Sequence, residues 1–274
     1  MKILEVYVIS ESIGFILSVI GALPKIDDIA IICSRRKLLT SVCGFSSKSS
    51  DYFDIVVTQS DCIKSDVGKA SVLRSTTAEG EVRALGVVLS RISSSLPRSR
   101  SRVHISNRVS QKLSPNLIIL GGPAKNMESE QYIKQFMSDE KIRLEFNALN
   151  SLISYNSSVI ISDYDYRCEH SVPRQDIGMV IIDRGSYYAS RGRKILCMGF
   201  TTYGTYGAAN FFFDDVLKSS KFKYYRRAMK RGSPMILVVE CYFDDGVMKG
   251  SELKFAALRE KGDENFVVHR WNFD

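Results

Sequence analysis

The chain has 274 residues, enough to bury a large core in one big domain or two smaller ones. Hydrophobic residues make up 45% of it and charged residues 25%, proportions that exclude a disordered or fibrous chain and fit an ordinary soluble globular protein. The 38 Lys and Arg outnumber the 30 Asp and Glu, and the formal net charge is +8. This excess favours an anionic partner such as a nucleotide, a nucleic acid or an acidic surface.

The N-terminal region predicts a strand over 3–9 and a short buried helix over 12–23. The apolar part of this helix is shorter than the roughly 20 residues that cross a bilayer. It also lacks the basic start and the small-residue cleavage site of a signal peptide. Six scattered cysteines without a CxxC pair favour buried free thiols in a reducing compartment. We therefore expect a cytoplasmic protein without a membrane partner.

The next elements alternate between short strands and a helix. Strands are predicted over 29–33 and 55–58, separated by a Ser-rich loop over 44–51. A helix opens at Thr76–Glu81, because either threonine can cap it and the acidic residues complement its first N–H groups. A Ser- and Arg-rich loop over 93–108 follows. The helix is expected to bury an apolar stripe made of Val82, Leu85, Val88, Leu89 and Ile92.

The central feature is the strand Leu117–Leu120, whose four consecutive aliphatic residues predict burial on both faces. Two glycines and a proline end it, and a helix is predicted from Asn126 to Met137. A buried strand that runs through a Gly-rich turn into a helix places backbone N–H groups at a positive helix end. That arrangement favours an anionic ligand.

The second half repeats this pattern. Buried strands are predicted over 178–183 and 194–200, and the second leads through a turn rich in Gly and Thr into a helix over 207–217. The last predicted strands lie over 235–243 and 266–271. Because little helix separates them, we expect antiparallel pairing at the sheet edge.

These elements together predict an α/β fold that is Rossmann-like, with a mostly parallel sheet, helices on both faces and antiparallel C-terminal edge strands. The chain contains no clean linker. We therefore predict a single α/β unit over 1–274, in which 1–110 can form a semi-independent N-terminal lobe and 111–274 carries a ligand pocket.

The first candidate site is the turn after the central strand. Its predicted ligand-binding residues are Gly121, Gly122, Pro123, Asn126 and Ser129. Glycine lets a ligand approach the backbone, and ligands in open α/β sheets bind beyond the carboxyl ends of strands. The alternative is a plain tight turn with an Asn helix cap. The turn matches neither GxGxxG nor the P-loop pattern.

The second candidate site is the turn that contains Thr202, Gly204 and Thr205, with Arg184 or Arg191 neutralising a bound anion. Hydroxyls and a glycine at a helix start are suitable phosphate or carboxylate donors. The alternative is that small residues here only allow the helix to pack closely on the sheet. Two such turns, each after a buried strand, favour one shared pocket.

The two turns, together with Asp176-Ile177-Gly178 and its strand, resemble α/β domains of prokaryotic proteins that carry GGPxxN followed by GxxxxGT. In this chain the motifs are Gly121–Asn126 and Gly199–Thr205, and the resemblance covers about 76–271. Some of those domains occur with signalling or antiviral-defence modules. The resemblance implies recognition of a small nucleotide-like ligand, by a sensor or signalling component, and does not imply catalysis.

Two further hypotheses remain open at this point. An enzyme, such as a hydrolase of nucleotides or N-glycosidic bonds, would use the same pocket and place a carboxylate of Asp183 or Asp176 against the turns with a perturbed pKa. A nucleic-acid-binding protein would use the basic segment 218–231, in which basic and aromatic residues alternate. The alternative for that segment is a solvated basic helix. The residues predicted to contact a nucleic acid are Lys221, Lys223, Arg226, Arg227 and Lys230.

No metal site is predicted, since the chain has three histidines and neither an HExxH nor a His-x-His spacing. The sequence likewise points to no particular cofactor.

Overall fold

The structure is a computed structural model, and it describes residues 39, 52–58, 62–67, 70–75, 78–95, 100–106, 113–114, 116–164, 168–169, 172–183, 193–259 and 265–270. The elements predicted over 3–33 and the Ser-rich loop over 44–51 lie outside these residues.

The strands, in chain order, are β1 (Tyr52–Val57), β2 (Cys62–Val67), β3 (Ala70–Ser75), β4 (Arg100–Ile105), β5 (Leu117–Leu120), β6 (Leu144–Asn147), β7 (Leu152–Tyr155), β8 (Ser158–Ile161), β9 (Cys168–Glu169), β10 (Val172–Pro173), β11 (Gln175–Asp183), β12 (Lys194–Gly199), β13 (Met235–Asp244), β14 (Val247–Leu258) and β15 (Val267–Arg270). The α-helices whose bounds fall within the described residues are α1 (Glu79–Ser95), α2 (Met127–Glu140), α3 (Thr202–Asn210) and α4 (Lys223–Arg231). A π-helical turn over Phe211–Val216 continues α3, and a 3-10 turn over Ser220–Phe222 precedes α4.

Within the described residues, the main sheet has eight strands in the order β15-β14-β13-β11-β12-β5-β1-β4. Only the part from β12 to β4 is parallel, whereas β11, β13, β14 and β15 pair antiparallel. The predicted Rossmann-like, mostly parallel sheet is therefore wrong, and the sheet is mixed. The physical reason is the length of the connections, because residues 184–192 between β11 and β12 are fewer than the dozen or more that a parallel crossover needs.

The hairpin between β13 and β14 also makes its two strands antiparallel. Asp245 and Gly246 form its turn, with φ angles of 47° and 70°. Two consecutive residues with positive φ match the right-handed twist of a hairpin, which joins antiparallel strands.

The sheet is covered on both faces. On one face lie α1, α3, the π-helical turn and α4, packed on the cluster that includes Ile118 and Leu120. On the other face lie α2 and the antiparallel three-stranded sheet β6-β7-β8, packed on Leu117 and Ile119. The prediction that Leu117–Leu120 is a strand buried on both faces is confirmed.

Other predictions at the element level were less accurate. Val88 and Ile92 of α1 are buried as predicted, but Val82 is 53% exposed, and Ala84 is buried instead. The hairpin β2–β3 was not predicted.

Strands β1 and β4, which belong to 1–110, share the main sheet with β5. The organisation of 1–274 as a single unit stays a prediction.

No described helix is both long enough and apolar enough to cross a membrane.

Candidate functional site

The topology of the sheet predicts a crevice at the end of β5. Strands β1, β5 and β12 are parallel neighbours, so their carboxyl ends meet at one edge of the sheet. The helix α2, which follows β5, packs on one face. The helix α3, which follows β12, and α1, which follows the β2–β3 hairpin, pack on the other. Connections that leave neighbouring strands toward opposite faces open a crevice, and this is where α/β sheets bind ligands.

Gly121 forms the floor of this crevice. Its φ of +108° is strained for any residue with a Cβ, and a Cβ there would lie 1.9 Å from Thr58 Oγ1 and 2.8 Å from Glu81 Oε1. The Gly121 N–H donates to the Cys197 carbonyl at 2.9 Å, which ties the turn to β12. Gly122 and Pro123 are half-buried and lie at the crevice.

Asn126 and Ser129 are used within the turn itself. Asn126 Nδ2 donates to the Leu120 carbonyl at 3.0 Å, and its Oδ1 accepts the Ser129 N–H at 3.2 Å as the N-cap of α2. Ser129 Oγ donates to the Gly121 carbonyl at 2.6 Å. Both side chains are buried and their hydrogen bonds hold the turn, so the Asn helix cap is confirmed. Their part in ligand binding stays a prediction.

The helix start in the second turn already holds an anion, which is the side chain of Asp176. Asp176 Oδ2 accepts the N–H of Thr201 at 3.2 Å, the N–H of Gly204 at 2.6 Å and the Thr201 hydroxyl. Burial raises the pKa of Asp176 to about 6, although these hydrogen bonds lower it. A carboxylate of the protein thus occupies the position that was predicted for a ligand anion.

Gly204 and Thr205 serve the packing of α3 on the sheet. A Cβ at Gly204 would lie 2.3 Å from the Ile177 carbonyl oxygen and 2.9 Å from the Gly199 Cα. Thr205 is 1% exposed. Thr202 is half-buried, whereas the other two predicted residues of this turn are buried. A Cβ at Gly80 would lie 2.4 Å from the Thr202 backbone, so the first turns of α1 and α3 lie side by side.

Glu81 is the residue of this region whose role sequence reasoning missed. It lies in the first turn of α1, is 3% exposed, and places Oε1 against Gly121. Its Oε2 is buried and has no hydrogen-bond partner among the described residues. Burial raises the pKa of Glu81 to about 7, and the Thr58 hydroxyl and the Lys125 ammonium lower it by less. In the sequence, Glu81 is one of two acidic residues in the first turn of a helix, which is a common pattern and gives no sign of burial.

An aromatic cluster borders the crevice on the opposite face. A Cβ at Gly122 would lie 3.7 Å from the Phe146 ring. The Phe146 and Phe200 rings are 5.4 Å apart, and those of Phe200 and Tyr164 are 6.3 Å apart. Tyr164 donates its hydroxyl to Glu240 at 2.9 Å. The crevice therefore has a carboxyl group on one side and an aromatic ring on the other.

The predicted charged partners fall elsewhere. Arg184 and Arg191 lie outside the described residues. Asp183 pairs with Lys194 at the start of β12, which is the edge of the sheet opposite the two turns. The hypothesis that Asp183 faces the turns is therefore wrong, whereas Asp176 lies at the correct edge.

The basic segment forms an exposed helix whose aromatic residues point partly inward. Phe222 and Tyr225 are buried, and Tyr224 is 43% exposed. Arg226 donates to the carbonyls of Val216 and Ser219, so its guanidinium caps the preceding turns. The other four predicted contacts are exposed: Lys221, Lys223, Arg227 and Lys230.

No group of three or more His, Cys, Asp or Glu side chains suited to a metal ion occurs in the described part of the chain. No protein-family model, curated protein or solved structure matches the chain. The resemblance to prokaryotic domains with GGPxxN and GxxxxGT turns stays a prediction.

Proposed function

We propose that the protein binds a small nucleotide-like ligand in the crevice at Gly121–Gly122 and acts as a sensor or signalling component. The observation that carries this proposal is the Glu81 carboxyl group, buried against the turn with Oε2 unpartnered among the described residues. An unsatisfied buried polar atom costs about 1–3 kcal/mol. A ligand hydroxyl or amino group that donates to Oε2 would offset that cost.

The surroundings of Glu81 support an anionic ligand with a planar ring. Gly122 is half-buried and has no side chain, so a ligand can approach its backbone. Lys125 is exposed on the same turn and provides a positive charge within electrostatic reach of Glu81. Phe146 borders Gly122 and offers a ring on which a base can stack. A ribose or base amino group at Glu81 and a phosphate at Lys125 would satisfy all of these groups.

The test is thermal unfolding of the full chain against nucleotides, dinucleotides and cyclic nucleotides. A ligand at about 100 times its Kd stabilises the folded state by about 2.7 kcal/mol. We expect one member of the panel to raise the Tm of the wild type, with the rise lost in Gly122→Val and reduced in Glu81→Gln. Gly86→Ala is the control, because Gly86 is exposed on α1 and a Cβ there contacts nothing within 4 Å. A Tm rise that survives in Gly122→Val would overturn the proposal.

A second candidate function is hydrolysis of a nucleotide or N-glycosidic bond in the same crevice. The observation that favours it is the position of the Glu81 carboxyl group, which is buried directly against the Gly121 turn. Burial there raises the pKa of Glu81 to about 7, and general acid–base catalysts work best with a pKa near the operating pH. Incubation of the stabilising ligand followed by chromatography separates the two functions. An enzyme converts the ligand, and Glu81→Gln abolishes conversion. A sensor leaves the ligand intact.

A further inference from the structure

A small cleft lies at the sheet edge opposite the crevice, beside the C-terminal end of α4. Its volume is about 220 Å³, and it is lined by Tyr224, Arg227, Ala228, Arg231 and Ser233. Ser233 comes just before β13, whose first residue pairs with the end of β11. Arg193, which comes just before β12, donates to the Met229 carbonyl. These contacts place the cleft at the amino end of β12, far from the Gly121–Gly122 turn at its carboxyl end.

Two guanidinium groups give the cleft its charge. Arg227 and Arg231 are exposed and stand one helical turn apart, so they project from the same side of α4. Neither forms an ion pair with any residue that the structure describes. Paired guanidinium groups offer planar, forked donors that match the oxygens of a phosphate.

The helix end itself does not repel an anion strongly. Two of the last four carbonyls of α4 are already hydrogen-bonded, because Gly232 N–H donates to the Met229 carbonyl at 2.9 Å and Ser233 N–H donates to the Ala228 carbonyl at 3.1 Å. The negative pole of the helix is thus partly satisfied within the protein. The charged side chains among the residues that line the cleft are those of the two arginines.

Ser233 provides the second and independent indication of a ligand. It is 4% exposed, lines the cleft, and its Oγ has no hydrogen-bond partner among the described residues. A buried hydroxyl that lacks a partner costs free energy that a ligand oxygen would recover. The Tyr224 ring, which is 43% exposed and lies 5.9 Å from the His269 ring, forms an aromatic wall beside it.

We propose that this cleft binds a terminal phosphate group, held by Arg227 and Arg231 and accepting a hydrogen bond from Ser233 Oγ. The volume is below the roughly 300 Å³ at which sites for drug-sized ligands begin, which suits one phosphate and little else. The phosphate can belong to the 5′ end of a nucleic acid or to a free phosphorylated small molecule. The site is independent of the crevice proposed above.

Fluorescence anisotropy of the full chain tests this proposal, with a short labelled single strand carrying either a 5′-phosphate or a 5′-hydroxyl. We expect the 5′-phosphate to strengthen binding at least tenfold, and Arg231→Gln and Ser233→Ala each to remove most of that advantage. Lys134→Gln, an exposed lysine on α2, loses the same charge and should keep the advantage. Inorganic phosphate should compete with the 5′-phosphate for the cleft. If inorganic phosphate binds as tightly as the 5′-phosphorylated strand, the rest of the strand contributes nothing and the natural source is a free phosphorylated molecule; if the strand binds much more tightly than inorganic phosphate, the source is the end of a nucleic acid.

Equal affinity for the two strands, together with no competition by inorganic phosphate, would overturn the proposal. So would an equal loss of affinity in Arg231→Gln and Lys134→Gln, because that result would reflect net charge alone. Gly122→Val, which disrupts the crevice, should leave phosphate binding at the cleft unchanged. The failure of either site can therefore be recognised separately.

Discussion

Glu81 shows how one side chain acquires properties that its type does not have in water. An exposed glutamate is ionised at neutral pH, but removing the carboxylate from water disfavours its charged form. Here burial outweighs the Thr58 hydroxyl and the Lys125 charge, and the pKa rises to about 7. At physiological pH, Glu81 is therefore protonated in some molecules and ionised in others, so it can donate or accept a hydrogen bond.

This pKa makes stability depend on pH in a direction that can be measured. Between the unfolded value of 4.5 and the folded value of about 7, the folded state binds a proton that the unfolded state lacks. The free energy of unfolding therefore falls as pH rises through this window, by about 1.4 kcal/mol per unit. Glutamine cannot ionise, so Glu81→Gln should match the wild type near pH 4.5 and exceed it by about 3 kcal/mol at pH 8. Urea unfolding at a series of pH values checks this.

Glu79→Gln is the matched control for that experiment. Glu79 lies two positions earlier in α1, is exposed, and pairs with Arg83, which lowers its pKa. Its substitution should give no gain in stability as pH rises. A difference between Glu81→Gln and the wild type that stays constant from pH 4.5 to pH 8 would show that folding does not raise the pKa of Glu81.

At the scale of elements, α3 packs on the sheet through glycines. A Cβ at Gly178 would lie 2.7 Å from the Gly204 carbonyl oxygen, and a Cβ at Gly199 would lie 2.3 Å from the Gly204 carbonyl carbon. Three glycines from β11, β12 and α3 thus remove the side chains that would hold the layers apart. The same contact brings the first N–H groups of α3 onto Asp176.

Gly204→Ala and Gly86→Ala form an informative pair, because both add one methyl group to a helix. At Gly204 the new Cβ meets backbone atoms that cannot move aside, so we expect a loss of at least about 2 kcal/mol. At Gly86 it meets nothing within 4 Å, and alanine should stabilise α1 by about 1 kcal/mol. Chemical denaturation gives both values. Similar effects of the two substitutions would contradict the close packing of α3.

Elements and turns were the part of this molecule that local sequence patterns could predict. Leu117–Leu120, the Asn126 cap and the buried strands around Gly178 and Lys194 follow from composition, since aliphatic runs and Gly, Asn or Pro boundaries act locally. The partner of the α3 helix start could not be predicted in the same way. Asp176 reaches Gly204 only because β11 lies beside β12, and no local pattern specifies which strands become neighbours.

At the scale of the whole molecule, the mixed sheet separates two edges with different chemistry. The edge at the carboxyl ends of β1, β5 and β12 carries the Gly121 turn, Glu81 and Asp176. The opposite edge carries Arg231, the end of α4, and the start of β13. This separation depends on the antiparallel direction of β11, because a parallel β11 would bring Asp183 to the same edge as the turns.

The strand order explains why the sequence misled at this scale. Buried strands in mixed and parallel sheets have the same aliphatic composition, so Gly178–Asp183 gives no sign of its direction. The informative feature is the length of its connection to Lys194, which is too short for a crossover helix. Glu81 was missed for a related reason, since its burial arises from contact with Thr58 and Gly121, which are distant from it in the chain.

Hydrogen–deuterium exchange tests this architecture across the described chain. Strand β11 lies between β12 and β13, and all but its first residue are buried, so its amides can exchange only when the sheet opens widely. Strand β8 lies at the edge of the three-stranded sheet, and only its last residue is buried. We therefore expect peptides from Gln175–Asp183 to exchange on the order of a hundredfold more slowly than those from Ser158–Ile161. Equal exchange rates would mean that β11 is not central. In that case Asp176 could not be held at the start of α3, and the anion position there would be open to a ligand.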